Sequence, residues 1–388
     1  MKIKHHIFNF KLYYLFYLGA VGAFMPYVNV YLEKTQNLSG SQIGLISSLA
    51  LVFGVCFIPL WGIIGDKTQK YTLLVQTSIV GSIISLYFYR SATVYLAIII
   101  SAIFLEIFRI GTIPMGDTVI SDYTTKHRQN YGAIRSMGSL GYMLASTLVG
   151  FLSDSIGLDG PLFATYFILL GFTLSTTFFF PKVSTNHDKD NHEVKFSSLF
   201  KNKPFIFILI FILLTSSVND ASLLFVGNHL TSTLGASPSI ISWYTIFAVL
   251  PEIAYLLFAS TIIKRIGFQK FFIFSIIAII FRHFIYAFIP SISLFMIFST
   301  LHSFSVGIST VGALAFINKV VPPYLLGTAI TLLNASMSIG KAIMGYINGY
   351  LYEYISSYAI FQVVIIFLLI ALFLAIKNSY FKEIDENY

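Results

Sequence analysis

The amino-acid sequence predicts an all-α membrane protein with twelve transmembrane helices in two six-helix bundles. Of its 388 residues, 56% are hydrophobic and only 10% are charged, whereas soluble domains carry about 25% charged residues. The hydrophobic residues form twelve runs, each long enough to cross the ~30 Å hydrocarbon core of a bilayer. One long polar segment follows the sixth run. Together these observations exclude a soluble domain and indicate two halves with equal numbers of helices.

The twelve apolar runs fall into two sets of six, separated by the polar segment 181–203, which lacks hydrophobic periodicity and therefore predicts a linker. The first set occupies 12–32, 42–64, 72–89, 93–121, 133–153 and 160–180. The second set occupies 204–226, 240–263, 268–290, 291–318, 323–350 and 358–376. We therefore expect an N-terminal six-helix bundle at 1–180, a cytoplasmic linker at 181–203, and a C-terminal six-helix bundle with a short cytoplasmic tail at 204–388.

The basic residues are distributed unevenly among the loops. Eighteen Lys and Arg lie at the termini, in the linker and in the other loops after even-numbered runs, but only Lys34 and Arg90 lie in the opposite loops. By the positive-inside rule, this asymmetry predicts cytoplasmic termini in a multi-pass protein of the cell membrane. Topology thus accounts for the net charge of +8 without a nucleic-acid partner. The single cysteine, Cys56, excludes an intrachain disulfide and gives no metal cluster.

Eight charged residues lie inside the predicted spans, and their charges balance. The four basic residues are Arg109, Arg135, Arg282 and Lys341, and the four acidic residues are Glu106, Asp117, Asp220 and Glu252. Charges within a bilayer are costly, so they usually pair, face a cavity and mark a pathway. Glu106 and Arg109 are three residues apart on one predicted helix, which allows them to satisfy each other locally.

Asp117 and Arg135 lie on either side of a polar turn at 123–130. With a helical rise of ~1.5 Å per residue, both lie roughly 10 Å inside the membrane and can pair across the hairpin. Ser139 and Tyr142 share a helical face with Arg135. This hairpin is therefore the candidate binding site. The alternative is a buried pair that only fixes the register of two helices.

A turn rich in glycine and lysine follows the second apolar run of each half. In the first half it contains Gly62, Asp66, Lys67 and Lys70, and a weaker counterpart lies at 264–270. The first turn resembles the G-x-x-x-D-[KR]-x-x-[KR] signature of the major facilitator superfamily. The resemblance implies the major facilitator fold, alternating access, and a gating role for this turn instead of contact with substrate.

Within that superfamily, the chain resembles the lactose permease and phenylpropionate permease group of oligosaccharide or nucleoside:proton symporters. The spacing of Asp117 and Arg135 is similar to that of the group's substrate-binding pair, and Tyr142 stands where lactose permease has a tryptophan that stacks on the sugar. The resemblance implies that Asp117, Arg135, Ser139, Tyr142 and Glu252 bind the substrate.

The second half resembles the same group at the residues that handle the proton. Glu252 resembles an eighth-span glutamate that serves both substrate and proton, while Arg282 and His302 resemble members of the coupling cluster. The resemblance implies proton coupling through these three residues and Asp117. Burial beside apolar surface favours the neutral form of a carboxylate, which makes Glu252 the first candidate for the proton site.

The other polar residues of the second half are not expected to bind the substrate or the proton. Asp220 and Lys341 resemble a structural charge pair between the seventh and eleventh spans. Ser305 stands where lactose permease carries its proton-accepting glutamate, so the proton must be carried elsewhere. His229 and His283 are expected to be interfacial or packing residues.

The resemblance implies proton-coupled symport of a small hydrophilic solute, with a sugar or oligosaccharide as the first expectation. Import of an aromatic acid or nucleoside, drug/proton antiport, and a non-transporting membrane sensor are the alternatives. No nucleotide-binding loop, nucleophile motif or metal-ligand spacing stands out in the sequence. We therefore expect a gradient-driven, monomeric transporter with no cofactor and no enzymatic activity, whose partners are the solute, protons and membrane lipid.

Overall fold

The computed structural model describes residues 2–181, 196–322, 325–378 and 380–381, and the regular secondary structure in these ranges is helical. The chain divides into two compact units. Unit 1 comprises Met1–Lys189 and Ser237–Thr245, and unit 2 comprises Asp190–Ala236 and Ile246–Tyr388. Because 182–195 of the expected linker lie outside the described residues, the bundle boundaries at 180 and 204 stay predictions.

The first 181 residues form eight helices. These are α1 (Lys2–Phe24), α2 (Val28–Lys34), α3 (Gly40–Thr68), α4 (Tyr71–Ser91), α5 (Tyr95–Lys126), α6 (Tyr131–Arg135), α7 (Met137–Ile156) and α8 (Asp159–Thr177). Between α6 and α7 lies a single turn residue, Ser136.

The later residues form a 3₁₀ helix (Phe196–Lys201), nine further α-helices and three π-helical segments. The α-helices are α9 (Lys203–Ile212), α10 (Val218–Leu223), α11 (Val226–Asn228), α12 (Pro238–Phe288), α13 (Ile292–Ser299), α14 (His302–Val306), α15 (Ala313–Val320), α16 (Leu326–Tyr354) and α17 (Ser357–Lys377). The π-helical segments are Leu213–Ser217, His229–Thr233 and Gly307–Gly312.

Nine helical segments in the described ranges are long and apolar enough to cross a membrane. One of them, Pro238–Phe288, contains a break at Gly267, where φ is 82°. Glycine adopts this conformation without strain, and the break separates two of the predicted spans. Helices α7 and α16 occupy the two remaining predicted runs, although both contain many serine and glycine residues. The predicted all-α membrane fold is confirmed.

Side chains that cap helices explain several helix boundaries. Ser39 and Gln42 form a capping box at the start of α3. Asn130, Asn202 and Ser356 each accept a hydrogen bond from a backbone N–H in the first turn of α6, α9 and α17, respectively. Such caps satisfy donors that have no partner within the helix, so the sequence itself specifies where these helices begin.

Glycines bring α1 and α7 into backbone contact within unit 1. A Cβ atom at Gly141 would collide with the backbone of Leu15, and one at Gly22 would collide with the backbone of Tyr142. Small residues allow this close approach between membrane helices. The consequence is that α1 has a fixed position beside the start of α7.

Tyrosines of α1 also bind the backbone of α5. The Tyr13 hydroxyl donates to the carbonyl of Thr112 at 2.8 Å, and the Tyr17 hydroxyl donates to the carbonyl of Arg109 at 2.7 Å. Both tyrosines are buried. Helix α1 is therefore held on two sides, by α5 and by α7, and its side chains lie between them.

The segment Ser237–Thr245 packs within unit 1 through a small hydroxyl network. The Tyr27 hydroxyl donates to the carbonyl of Ser146 at 2.8 Å and lies 2.9 Å from Ser242 Oγ. Ser242 Oγ in turn donates to the same carbonyl at 3.0 Å. These buried hydrogen bonds join the chain before α3, helix α7 and the first residues of α12.

Candidate functional site

Unit 1 contains a polar group that we call the tyrosine cluster: Tyr14, Asp117, Tyr131 and Arg135. The Tyr14 hydroxyl donates to Asp117 Oδ1 at 2.5 Å and lies 3.2 Å from the Tyr131 hydroxyl. The guanidinium of Arg135 lies over the Tyr14 ring, 5.1 Å from its centroid. Asp117, Tyr131 and Arg135 are half-buried. One aromatic side chain thus orients both the acid and the arginine.

Asp117 and Arg135 form no ion pair in the described part of the chain, but Arg135 lies close enough to act on the carboxylate electrostatically, so their pairing stays a prediction. Tyr14 gives its hydroxyl to the carboxylate and its ring face to the guanidinium, which is a cation–π contact. Tyr14 is 103 residues from Asp117 in sequence, so hairpin geometry alone did not reveal it.

Ser139 and Tyr142, the other predicted substrate residues of this unit, lie half-buried in the first two turns of α7. A glycine precedes Ser139, and a Cβ atom at Gly138 would come within 3.0 Å of Arg135 Nη1. Gly138 therefore leaves room for the guanidinium beside α7. The backbone of Tyr142 packs against Gly22 of α1, which fixes the start of its side chain.

The predicted local pair of Glu106 and Arg109 is confirmed. Arg109 Nε donates to Glu106 Oε2 at 2.7 Å, and Arg109 Nη2 lies 2.5 Å from Glu106 Oε1. Two parallel bonds between a guanidinium and a carboxylate form a strong, oriented pair. Both side chains are largely buried, at 19% and 8% exposure. This pair is satisfied within α5.

Unit 2 contains a second polar group, the arginine network: Asn219, Asp220, Glu252, Arg282 and His302. Arg282 is fully buried. Its Nη2 donates to Asn219 Oδ1, and its Nη1 lies 3.2 Å from His302 Nδ1. Asn219 Nδ2 donates to Asp220 Oδ1 at 3.0 Å, and His302 Nε2 lies 4.0 Å from Glu252 Oε2. A continuous row of polar side chains thus runs from Asp220 to Glu252.

The contact between Arg282 and His302 determines where the histidine carries its proton. A guanidinium only donates hydrogen bonds, so His302 Nδ1 must accept and is unprotonated. The neutral ring then carries its proton on Nε2, which faces Glu252. Protonating Nδ1 would break the contact with Arg282. The Glu252 carboxylate, in contrast, can take up a proton while this contact remains.

The predicted charge pair of Asp220 and Lys341 stays a prediction, because Lys341 lies close enough to act on the Asp220 carboxylate electrostatically but does not touch it. Asp220 accepts from Asn219, and the described residues show no ion pair between Asp220 and Lys341. Two features shape the surroundings of Asp220. The π-helical segment Leu213–Ser217 precedes Asp220 and widens the helical turn, and α16 approaches this segment through Gly340, where a Cβ atom would meet Ser217.

The two unassigned histidines of unit 2 are fully or almost fully buried. His229 Nδ1 lies 2.8 Å from Ser357 Oγ, and its ring stacks on Phe295. His283 Nδ1 lies 2.9 Å from the carbonyl of Ile279. These contacts place both rings in the packed interior of unit 2, where each has a hydrogen-bonding partner.

The predicted gating turn is ordered by Asp66. The hydroxyl of Tyr71, the first residue of α4, donates to Asp66 Oδ1 at 2.7 Å. Gln69 ends α3 in the left-handed conformation, with φ of 54°. Gly62 faces open space, and Lys67 and Lys70 are exposed. The carboxylate thus joins the end of α3 to the start of α4, and the gating role itself remains a proposal.

Three residues of these clusters, Tyr14, Tyr131 and Asn219, were not predicted from the sequence. All three are uncharged, and the search for site residues started from charges. Two signals were available in the sequence. The first apolar run contains three tyrosines in five consecutive positions, Tyr13, Tyr14 and Tyr17, and an asparagine directly precedes Asp220. No group of three or more metal-ligating side chains occurs in the described ranges.

Comparison with known sequences identifies relatives along almost the whole chain. The sequence model of the MFS_1 like family matches residues 7–363. The chain is 31% identical over 368 residues to the uncharacterized transporter YwbF of Bacillus subtilis (strain 168), covering 93% of this chain and 90% of the relative. It is 27% identical over 345 residues to the maltose permease of Geobacillus stearothermophilus, covering 89% and 87%.

Solved structures share the fold at lower sequence identity. The nucleoside transporter NupG superposes with a TM-score of 0.84 at 17% identity, covering 97% of this chain and 99% of NupG. The D-xylose-proton symporter superposes with a TM-score of 0.73 at 15% identity, covering 97% of both chains. At such identities the likeness concerns the fold alone.

Proposed function

The chain belongs to the MFS_1 like family of the major facilitator superfamily, and we propose that it is a proton-coupled symporter of a small hydrophilic solute, a sugar or oligosaccharide. The single observation that carries this proposal is the arginine network, in which a buried guanidinium is linked through His302 to a carboxylate that can change charge. The maltose permease that shares 27% identity supports the choice of sugar as the solute class.

The tyrosine cluster is the proposed solute-binding part of unit 1. Asp117 and Arg135 offer an acceptor and a set of donors for sugar hydroxyls, and charge-assisted hydrogen bonds of this kind are strong and directional. Tyr142 offers an aromatic face to the CH groups of a sugar ring. Ser139 adds a hydroxyl on the same helix. Tyr14 orients the charged pair and is the proposed positioning residue.

The arginine network is the proposed proton-coupling part of unit 2, with Glu252 as the proton acceptor. Protonation removes the negative charge beside His302 Nε2. The positive charge of Arg282 is then balanced chiefly from the opposite side, by Asp220 through Asn219. Because buried charges depend strongly on their partners, this change favours a rearrangement of the network. Proton uptake would thereby bias the alternating-access equilibrium.

Uptake into proteoliposomes tests this proposal. Purified protein is given labelled maltose, other sugars, nucleosides and aromatic acids, with and without an inward proton gradient. We expect a sugar to accumulate against its concentration gradient and a protonophore to abolish the accumulation. Glu252→Gln should retain exchange of solute but lose gradient-driven accumulation. Accumulation by Glu252→Gln would refute the coupling role, and absence of any flux would refute transport.

A nucleoside is the second candidate solute, because the tyrosine cluster offers several aromatic rings on which a base could stack. The same uptake panel separates the two solute classes. We further propose that the protein acts without enzymatic activity, as a monomer in the cell membrane with both termini in the cytoplasm. Labelling of cysteines introduced into the loops 35–39 and 127–130 would report opposite sides of the membrane.

A further inference from the structure

A groove with a volume of about 610 Å³ runs between α4 and α5 on the surface of unit 1. Small residues form its floor, among them Gly81, Ser85 and Ser101, all of which are buried. Large residues form its walls, among them Phe88 and Phe104, which are 60% and 52% exposed. This alternation of small buried and large exposed side chains creates a channel along the two helices.

The groove offers almost nothing to a polar ligand. The hydroxyl of Ser101 donates to the carbonyl of Ala97 at 2.7 Å, and that of Ser91 donates to the carbonyl of Tyr87 at 2.9 Å. Both hydroxyls are thus used within their own helices. Apart from Gly81 and the buried Ser85, the remaining lining is aliphatic or aromatic. A hydrocarbon chain fits this chemistry, whereas a sugar would lose its hydrogen bonds with water on entering.

The dimensions of the groove match one half of a bilayer. Its lining extends along α5 from Ala97 to Phe108, which at ~1.5 Å per residue is roughly 16 Å. One leaflet of a ~30 Å hydrocarbon core is about 15 Å thick. The groove begins at the connection between α4 and α5. The chain crosses the membrane at Ile3–Lys34 and returns through α3, so α4 starts on the side of the N-terminus and ends on the opposite side. This connection therefore lies on the membrane face opposite the N-terminus.

The groove is also continuous with the surface that faces lipid. Ile84 and Ile100 on its walls are 52% and 47% exposed, and both belong to helices apolar enough to cross the membrane. We infer that the groove binds one acyl chain of a membrane phospholipid, in the leaflet opposite the N-terminus. The bound chain fills the space between α4 and α5 and stabilises their packing.

The protein contains an internal reporter for this site. Trp61 is 8% exposed and packs against Phe108, a groove residue, with ring centroids 6.2 Å apart. The only other tryptophan is Trp243. In a Trp243→Phe background, a brominated acyl chain in the groove should quench Trp61 fluorescence, because bromine quenches only at short range. Protein in detergent is titrated with brominated phosphatidylglycerol, and a brominated detergent serves as the comparison.

Two exposed alanines give a matched pair of variants. Ala97 lines the groove, and Ala164 is exposed on α8, outside it. We expect saturable quenching in the Trp243→Phe protein. Adding Ala97→Phe should weaken lipid binding about tenfold, which corresponds to the loss of two buried methylenes. Adding Ala164→Phe should leave lipid binding unchanged. If Ala97→Phe does not fold, Ser101→Leu narrows the floor and should have the same effect.

Three results would overturn the inference. Equal quenching in both alanine variants would show that the lipid does not occupy the groove. Equal quenching by brominated detergent would show that the groove has no preference for phospholipid. Light scattering provides the third result. If Ala97→Phe abolishes self-association of the protein but does not change the quenching, a second copy of the chain covers the groove.

Discussion

The two units solve the same problem, charges inside a membrane, in different ways. In unit 1, Asp117 and Arg135 remain half-buried and are connected by a tyrosine. In unit 2, Arg282 is fully buried, and its guanidinium contacts the amide of Asn219 and the imidazole of His302. The first arrangement keeps donors and acceptors available for a ligand. In the second arrangement, the polar groups of Arg282, His302 and Glu252 contact one another inside unit 2.

The helices around the two clusters differ as well. Helices α1 and α7 of unit 1 meet at glycines that fix their backbones. In unit 2, one π-helical segment, Leu213–Ser217, ends two positions before Asn219, and another, Gly307–Gly312, directly follows α14. Single π-helical turns often occur at functional sites. Close glycine packing thus accompanies the proposed binding residues, whereas irregular helices accompany the proposed coupling residues.

The largest effect is expected from Arg135→Ala. It removes the charge-assisted donors of the tyrosine cluster, and the loss of such contacts typically costs 2–5 kcal/mol, or about 100-fold in solute affinity. Titration calorimetry with the transported solute measures the change, and Arg135→Lys, which keeps the charge but not the planar fork, should lie in between. Unchanged affinity in Arg135→Ala would remove the tyrosine cluster from the binding site.

The second-largest effect is expected from Asn219→Leu, which leaves Arg282 Nη2 without its hydrogen-bonding partner. An unsatisfied buried donor costs about 1–3 kcal/mol, so the melting temperature should fall by several degrees and proton-driven uptake should decrease. Asn348→Leu is the matched control. The amide of Asn348 is fully buried and has no hydrogen-bonding partner in the described ranges, so its replacement should not destabilise. Equal effects of both substitutions would contradict a specific role for Asn219.

A smaller effect is expected from Tyr14→Phe. It removes the hydrogen bond to Asp117 but keeps the ring beneath Arg135, so solute affinity should fall by about five- to tenfold, equivalent to one hydrogen bond. Tyr13→Phe serves as the control, because the Tyr13 hydroxyl binds the backbone of Thr112 instead. It should lower thermal stability and leave affinity unchanged. If Tyr13→Phe weakens binding as much, Tyr14 acts only through packing.

The smallest effect on binding is expected from Asp66→Asn. It weakens the contact with Tyr71 in the turn between α3 and α4, outside both clusters. The turnover rate should fall, while solute affinity should stay within about twofold. Stopped-flow transport and equilibrium binding separate the two quantities. A large loss of affinity would mean that the turn communicates directly with the binding residues.

The sequence predicted features that depend on near neighbours and missed those that depend on distant ones. The apolar runs gave the helices, and the three-residue spacing gave the pair of Glu106 and Arg109. The Tyr14 contact joins residues 103 positions apart, and no local pattern encodes it. A regular period of 3.6 residues also does not describe the π-helical turn before Asp220.

The packing of α1 against α7 has a consequence for how the protein is made. The Tyr27 hydroxyl, just after α1, binds the carbonyl of Ser146, which lies 119 residues later. At ribosomal speeds of 5–20 residues per second, about 10 s separate the synthesis of these two residues. During that time α1 is in the bilayer without the helix whose glycines it must meet. The hydroxyls of Tyr13 and Tyr17 find their partners earlier, on α5, whereas the Tyr27 hydroxyl gains the carbonyl of Ser146 only once α7 has been synthesised.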